Sequence, residues 1–292
     1  MAGKIGIHSL VFTDDWSEAT ARRACETAAR IGYELIEVLI FDPATLDRGM
    51  TKRVVGETGL ELRLGMALAP TTDISSPDPA VAKAGEETVG RCLEIASDLG
   101  VPAISGIVYA AFNAYQAPPS SGQRRQVADA LGRLDRRAAE LGVKIGIEPV
   151  NRYESYLINT VDQAGDLIAE AGGANCFIHM DTFHMAMEES DLAAALMRHR
   201  DRLGYAHLAE NNRGLPGTGM FDFRRYFRTL AAVGYRGDFT VETFSPACLG
   251  AGIVGAISLW RSPWRDPEAA AKSAYDFVRT EMVAAASSVA PW

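Results

Sequence analysis

Three carboxylates and one imidazole stand at the ends of four consecutive apolar runs. Glu148 follows Ile145-Gly146-Ile147, Asp181 follows Ile178-His179-Met180, His207 follows Tyr205-Ala206, and Glu242 follows Thr240-Val241. Taken singly, an acidic residue at a strand end serves as a helix cap or a salt-bridge partner. Four such residues on successive strands need another explanation, because crowded carboxylates repel one another unless a cation sits among them. An oxygen-rich donor set with one imidazole suits a hard divalent ion, Mn²⁺ first, with Co²⁺ or Mg²⁺ also fitting. Zn²⁺ is compatible too, but no cysteine is placed to favour it.

These residues need a scaffold that brings successive strand ends to one mouth. Short β-branched runs at 4–8, 35–39, 61–66, 103–108, 144–148, 176–181, 205–208 and 239–242 read as strands. Longer stretches of helical period lie between them, among them 18–31, 79–99, 124–141 and 223–233. Gly32, Gly100, Gly142 and Gly234 follow helical stretches directly, where a left-handed C-terminal residue is wanted. Eight strands alternating with helices predict a parallel sheet closed into a single (β/α)8 TIM barrel over residues 1–292. No strand is followed by a G-x-G-x-x-G turn, so an open dinucleotide-binding sheet lacks support. The segments 117–122 and 247–263 are expected to be loops at the C-terminal face, where such barrels carry their chemistry.

Composition narrows the partners. The formal net charge of −8 argues against a nucleic acid or an anionic membrane surface. No apolar run reaches membrane-spanning length, Met1-Ala2-Gly3-Lys4-Ile5 leads straight into a strand, and no signal peptide is visible. Cys25, Cys92, Cys176 and Cys248 are scattered, which fits a reduced, cytoplasmic protein.

The motifs Glu148-Pro149-Val150-Asn151-Arg152-Tyr153-Glu154, His179-Met180-Asp181-Thr182-Phe183-His184-Met185, His207-Leu208-Ala209-Glu210-Asn211-Asn212-Arg213-Gly214 and Val241-Glu242-Thr243-Phe244 resemble those of the ketose 3-epimerases. These are the D-tagatose, D-allulose (psicose) and L-ribulose 3-epimerases of the xylose-isomerase-like barrels. The resemblance runs from Gly6-Ile7-His8 to Leu259-Trp260-Arg261. It implies that Glu148, Asp181, His207 and Glu242 bind one metal ion. It also implies that Glu148 and Glu242 act as acid and base on opposite faces of C3 of a free ketose. Glu154, His184 and Arg213 are implied contacts for the O1–O3 end. A proton α to a ketone is weakly acidic, so the developing oxyanion must be stabilised. The resemblance further implies a homodimer or homotetramer.

For the far end of the sugar the candidates are His8, Met66, Val108 and Phe244, with Phe12, Tyr109 and Trp260 beside them. Ordinary core packing would account for any one of these equally well. Asn212 stands where some relatives carry His. His179 shares the direction of Asp181 along its strand and is a supporting candidate rather than a ligand. Glu37, at the end of the second strand, could reach the mouth or equally give a hydrogen bond in support of the ligands, and His199 reads as a surface residue. Hydroxypyruvate isomerases, aldose–ketose isomerases and inosose dehydratases of the same superfamily are rival readings. A barrel endonuclease would need more histidine ligands and a basic groove. A barrel that merely binds sugar would not need a base on each face.

Overall fold

A computed structural model describes residues 3–288. Met1 and Ala2, expected to lead into the first strand, lie outside them. The strands are β1 (Ile5–His8), β2 (Leu35–Ile40), β3 (Glu61–Leu68), β4 (Ala103–Ala111), β5 (Lys144–Ile147), β6 (Cys176–Asp181), β7 (Leu203–Leu208) and β8 (Asp238–Val241). They form a closed barrel in sequence order, as the alternation predicts. The β1–β2, β1–β8, β3–β4, β4–β5 and β5–β6 pairings are parallel. Strands buried on both faces read as continuous apolar runs, and β1 and β5 do so almost throughout.

The helices are α1 (Glu18–Ile31), α2 (Arg48–Glu57), α3 (Pro79–Leu99), α4 (Ser121–Leu141), α5 (Val161–Ala171), α6 (Thr182–Glu188), α7 (Leu192–Arg198), α8 (Phe223–Ala232), α9 (Ala251–Ala256) and α10 (Pro267–Ser288). Gly32, Gly100, Gly142 and Gly234 all have positive φ, as their positions require. Two expected loops are partly helical. Ser121 and Gly122 belong to the first turn of α4, because Ser120 and Gln123 form a reciprocal capping box. The segment after β8 contains α9.

The chain divides into two compact units. One comprises the described residues of Met1–Leu39, Asp47–Leu62 and Ala206–Trp292, the other Ile40–Leu46 and Arg63–Tyr205. Within the first, Arg22 pairs with Glu57 at 2.6 Å and Arg53 with Glu18 at 2.8 Å, joining α1 to α2. Arg30 pairs with Glu268 at 2.8 Å, joining α1 to α10. Within the second, Arg133–Glu86 (2.7 Å) and Arg137–Glu94 (3.1 Å) join α3 to α4, and Arg124–Glu170 (2.9 Å) joins α4 to α5.

Several glycines of the second unit have no room for a side chain, Gly106 among them. Gly106 lies inside β4 at φ 130°, and a Cβ there would sit 2.0 Å from the Met66 carbonyl oxygen. Register with β3 is regular up to Ile107 and resumes at Ala111. Gly106→Ala should therefore lose roughly 2–5 kcal/mol of folding stability, through backbone strain and overpacking together. Urea denaturation measures it, and a loss below about 1 kcal/mol would show that β4 relaxes around the methyl group.

Candidate active site

Glu148 and Glu242 are held in the same way in different units. Each stands one residue past its strand, β5 or β8. The Glu148 N–H donates to the Gly106 carbonyl at 3.1 Å, and the Glu242 N–H to the Leu208 carbonyl at 3.0 Å. Each backbone is thus tied to the strand before it, and both side chains are buried. The Tyr109 hydroxyl donates to the carbonyls of Glu148 (3.0 Å) and Ile158 (3.2 Å). Tyr109 lies where β4 loses register with β3, and its hydroxyl braces the β5 exit, a role the sequence reading did not foresee.

In the second unit, Asp181 ends β6 and caps α6, its Oδ1 accepting the Phe183 N–H at 2.7 Å. His184 follows in the first turn of α6. Its Nδ1 accepts from the backbone N–H and the side-chain amide of Asn151, at 3.1 and 2.9 Å. A nitrogen that accepts an N–H carries no proton, so in the neutral ring the proton sits on Nε2. That Nε2 lies 3.4 Å from Asp181 Oδ2 and 3.9 Å from both Glu148 Oε1 and Glu154 Oε2. Glu148, Asp181 and His184 offer atoms near enough together to share an ion. The bonds from Asn151 nevertheless make His184 a donor rather than a ligand. The Glu154 carbonyl accepts the Asn113 N–H at 2.8 Å. Arg152 pairs with Glu188 at 2.7 Å. His179 is fully buried, its Nδ1 3.8 Å from Glu148 Oε2 and its ring tilted against Tyr205.

In the first unit, His207 lies between two carboxylates. Its Nε2 is 2.7 Å from Glu37 Oε2 and its Nδ1 is 3.1 Å from Glu242 Oε1. Glu37 is the supporting partner that its place on β2 suggested. Burial opposes charge on His207, but Glu37 and Glu242 outweigh it and hold the imidazolium well above the usual histidine range. Burial would likewise raise Glu242, yet His207, with His8 and Arg213 adding to it, holds it well below the usual carboxylate range. Both shifts express a demand for positive charge between these carboxylates. Arg213 is buried, its guanidinium 3.8 Å from Glu242 Oε2 and 5.5 Å over the Phe244 ring.

His8 packs edge-on to both His207 and Phe244, and its Nδ1 accepts the Leu10 N–H at 3.1 Å. Burial lowers its pKa and favours the neutral ring. Phe244 clusters with Leu10, Leu249 and Leu259. Met66 and Val108 are buried on β3 and β4, and Phe12 is half-buried. Trp260 is 74% exposed and joins no such wall. His199 is more enclosed than expected, with Nε2 2.9 Å from Asp162 Oδ1. The sequence reading missed Asn151 and Glu210. Each sits in a motif it quoted, but their importance lies in backbone hydrogen bonds that side-chain type does not announce.

The chain forms an eight-stranded barrel whose strand ends carry buried carboxylates and histidines, and residues 25–281 match the sequence model of the xylose isomerase-like TIM barrel family. The L-ribulose 3-epimerase of Methylomonas sp. (strain DH-1) is 36% identical over 274 residues, which is 94% of this chain and 96% of that protein. The ketose 3-epimerase of Arthrobacter globiformis is 34% identical over 281 residues, 96% of this chain and 97% of its own. A crystal structure of a D-allulose 3-epimerase from Methylomonas sp. in complex with D-allulose has a TM-score of 0.93 at 35% identity, over 96% of this chain and 97% of that one. The chain belongs to the ketose 3-epimerases of the xylose isomerase-like TIM barrel family, and is an isomerase.

Proposed function

We propose that this isomerase inverts C3 of free ketoses, interconverting pairs of the D-allulose/D-fructose, D-tagatose/D-sorbose and L-ribulose/L-xylulose type. The observation that carries the reading is the matched setting of Glu148 and Glu242, each buried and pinned one residue past its strand. Inversion at a carbon α to a ketone needs one group to remove a proton from one face and another to return one to the opposite face. Glu148 serves one face of C3 and Glu242 the other. His184 donates from Nε2 to a sugar oxygen, Glu154 accepts a sugar hydroxyl, and Arg213 holds oxygens of the O1–O3 end with its fixed fork of donors.

Glu148, Asp181, His207 and Glu242 would hold one divalent ion, Mn²⁺ in the first place. The donor set fits: three buried carboxylates, and an imidazole whose Nε2 is engaged by Glu37, so that Nδ1, which faces Glu242, would ligate once its proton is lost. When bound, the ion supplies electrostatic stabilisation for the negative charge that develops as the C3 proton leaves. The reading takes residues 1–292 as one catalytic domain, acting in the cytoplasm as a homodimer or homotetramer. Among the described residues no helix is long and apolar enough to cross a membrane.

The test is incubation of metal-loaded protein with pentuloses and hexuloses in D2O, followed by NMR. Deuterium should enter at C3 as the C3 epimer accumulates; exchange confined to C1 would point to aldose–ketose isomerisation instead. Apolar groups such as Phe244, Met66 and Val108 discriminate hydroxyl configurations by only about 1–3 kcal/mol. Both C4 epimers of a ketohexose should therefore turn over, with kcat/KM values within roughly 200-fold of each other. Ketose phosphates should be poor substrates, and a kinetic panel in which a phosphate is preferred would refute this.

A further inference from the structure

We propose that Glu210 is a positioning residue for Arg213, holding the loop after β7 in the conformation that presents the guanidinium. The inference rests on the reading that Arg213 contacts the sugar. Arg213 has φ 60°, a left-handed conformation that a long side chain adopts only when its surroundings impose it. Glu210 supplies much of that constraint. It is fully buried, and its Oε1 accepts the Gly217 N–H at 3.0 Å. Its Oε2 accepts the N–H groups of Asn211 and Phe221, each at 3.2 Å. The Glu210 carbonyl accepts the Arg213 N–H at 2.9 Å, and the Glu210 N–H donates to the Gly214 carbonyl at 3.2 Å.

The loop is shaped around this carboxylate. Gly217 has φ 87°, and a Cβ at Gly219 would lie 2.5 Å from Glu210 Oε2. From the other side, the Arg213 carbonyl accepts the Thr243 hydroxyl at 2.9 Å and the Phe244 N–H at 3.1 Å. Trp264 Nε1 donates to that same Thr243 hydroxyl at 2.9 Å. A buried charge is tolerable only when well hydrogen-bonded, and charge-assisted bonds are stronger than neutral ones. A carboxylate bonded to three N–H groups of one loop therefore gives that loop rigidity. The side chain delivered by the rigid turn is Arg213, 3.8 Å from Glu242 Oε2.

The experiment is a double-mutant cycle on the metal-loaded enzyme, Glu210→Gln with Arg213→Ala, read by C3 deuterium exchange and by ketose affinity in calorimetry. Glu210→Gln keeps the shape but turns an amide toward N–H donors. It should lower kcat/KM roughly 10²-fold, the scale of a displacement of about 1 Å at a reacting centre, with metal content unchanged. In the Arg213→Ala background the same change should alter kcat/KM by no more than about twofold, the ordinary scatter of additivity. Its effect on melting temperature should be equal in both backgrounds. If it costs as much without Arg213 as with it, Glu210 acts on the fold at large and the proposal is overturned. Should Glu210→Gln fail to fold, Gly219→Ala presses on the same carboxylate with Glu210 in place and must show the same dependence on Arg213. Absence of C3 exchange in the unaltered enzyme would instead refute the epimerase reading, so the two failures are separable.

Discussion

Glu148→Gln and Glu242→Gln should each lower kcat by roughly 10²–10⁴-fold, the range associated with a positioned acid or base. Each change keeps side-chain volume and one oxygen able to ligate, so ketose affinity should stay close to that of the unaltered enzyme at saturating metal. If each glutamate removes a proton in one direction and returns one in the other, as proposed, either variant should fail in both directions. Exchange at C3 separates the two. A variant retaining Glu148 should still exchange the epimer that presents its C3 proton to Glu148, and the other variant should exchange the opposite epimer. NMR with both C3 epimers of one ketose, after metal analysis, reads this out. Near-native epimerisation by both variants would exclude a two-base mechanism and turn attention to His184, whose Nε2 lies 3.9 Å from Glu148 and Glu154.

Removing divalent ions should abolish turnover, and Mn²⁺ or Co²⁺ should restore it. An ion bound only by the native state stabilises by mass action, about 2.7 kcal/mol at a concentration 100 times Kd. For a chain of this size that is a rise of roughly 4 °C in Tm. Glu37→Gln should weaken metal affinity about 10–100-fold, because Glu37 holds Nε2 of His207 and would so orient the ring toward the proposed ion. Full activity in a sample shown by elemental analysis to be metal-free would end the metal reading.

Most of the barrel was legible because parallel strands covered on both faces leave unbroken apolar runs, as at 145–147 of β5. Glu148 and Glu242 stood out because a carboxylate interrupts such a run at its end. Harder to see was what depends on how backbone meets side chain. The start of α4 was legible in principle, since Ser120 and Gln123 have capping-box spacing, but the surrounding Pro, Ser and Gly residues read as loop. The tautomer of His184 depends on an N–H of Asn151, 33 positions away, and local sequence does not encode that meeting. Trp260 looked like part of a pocket wall because tryptophan is usually enclosed, yet the turn after α9 leaves it in solvent.

The arginine–glutamate pairs linking neighbouring helices behave differently in hot water than in cool. Near room temperature such exposed pairs contribute little, since two hydrated ions gain little by meeting. The hydration that competes with pairing weakens on heating, so the penalty for bringing the ions together falls. The bridges joining α1 to α2 and α10, and those joining α3 to α4 and α4 to α5, thus tie adjacent helices more firmly as thermal agitation grows. They act as a temperature-compensating brace on the outside of each unit, one that dissolved salt loosens by screening.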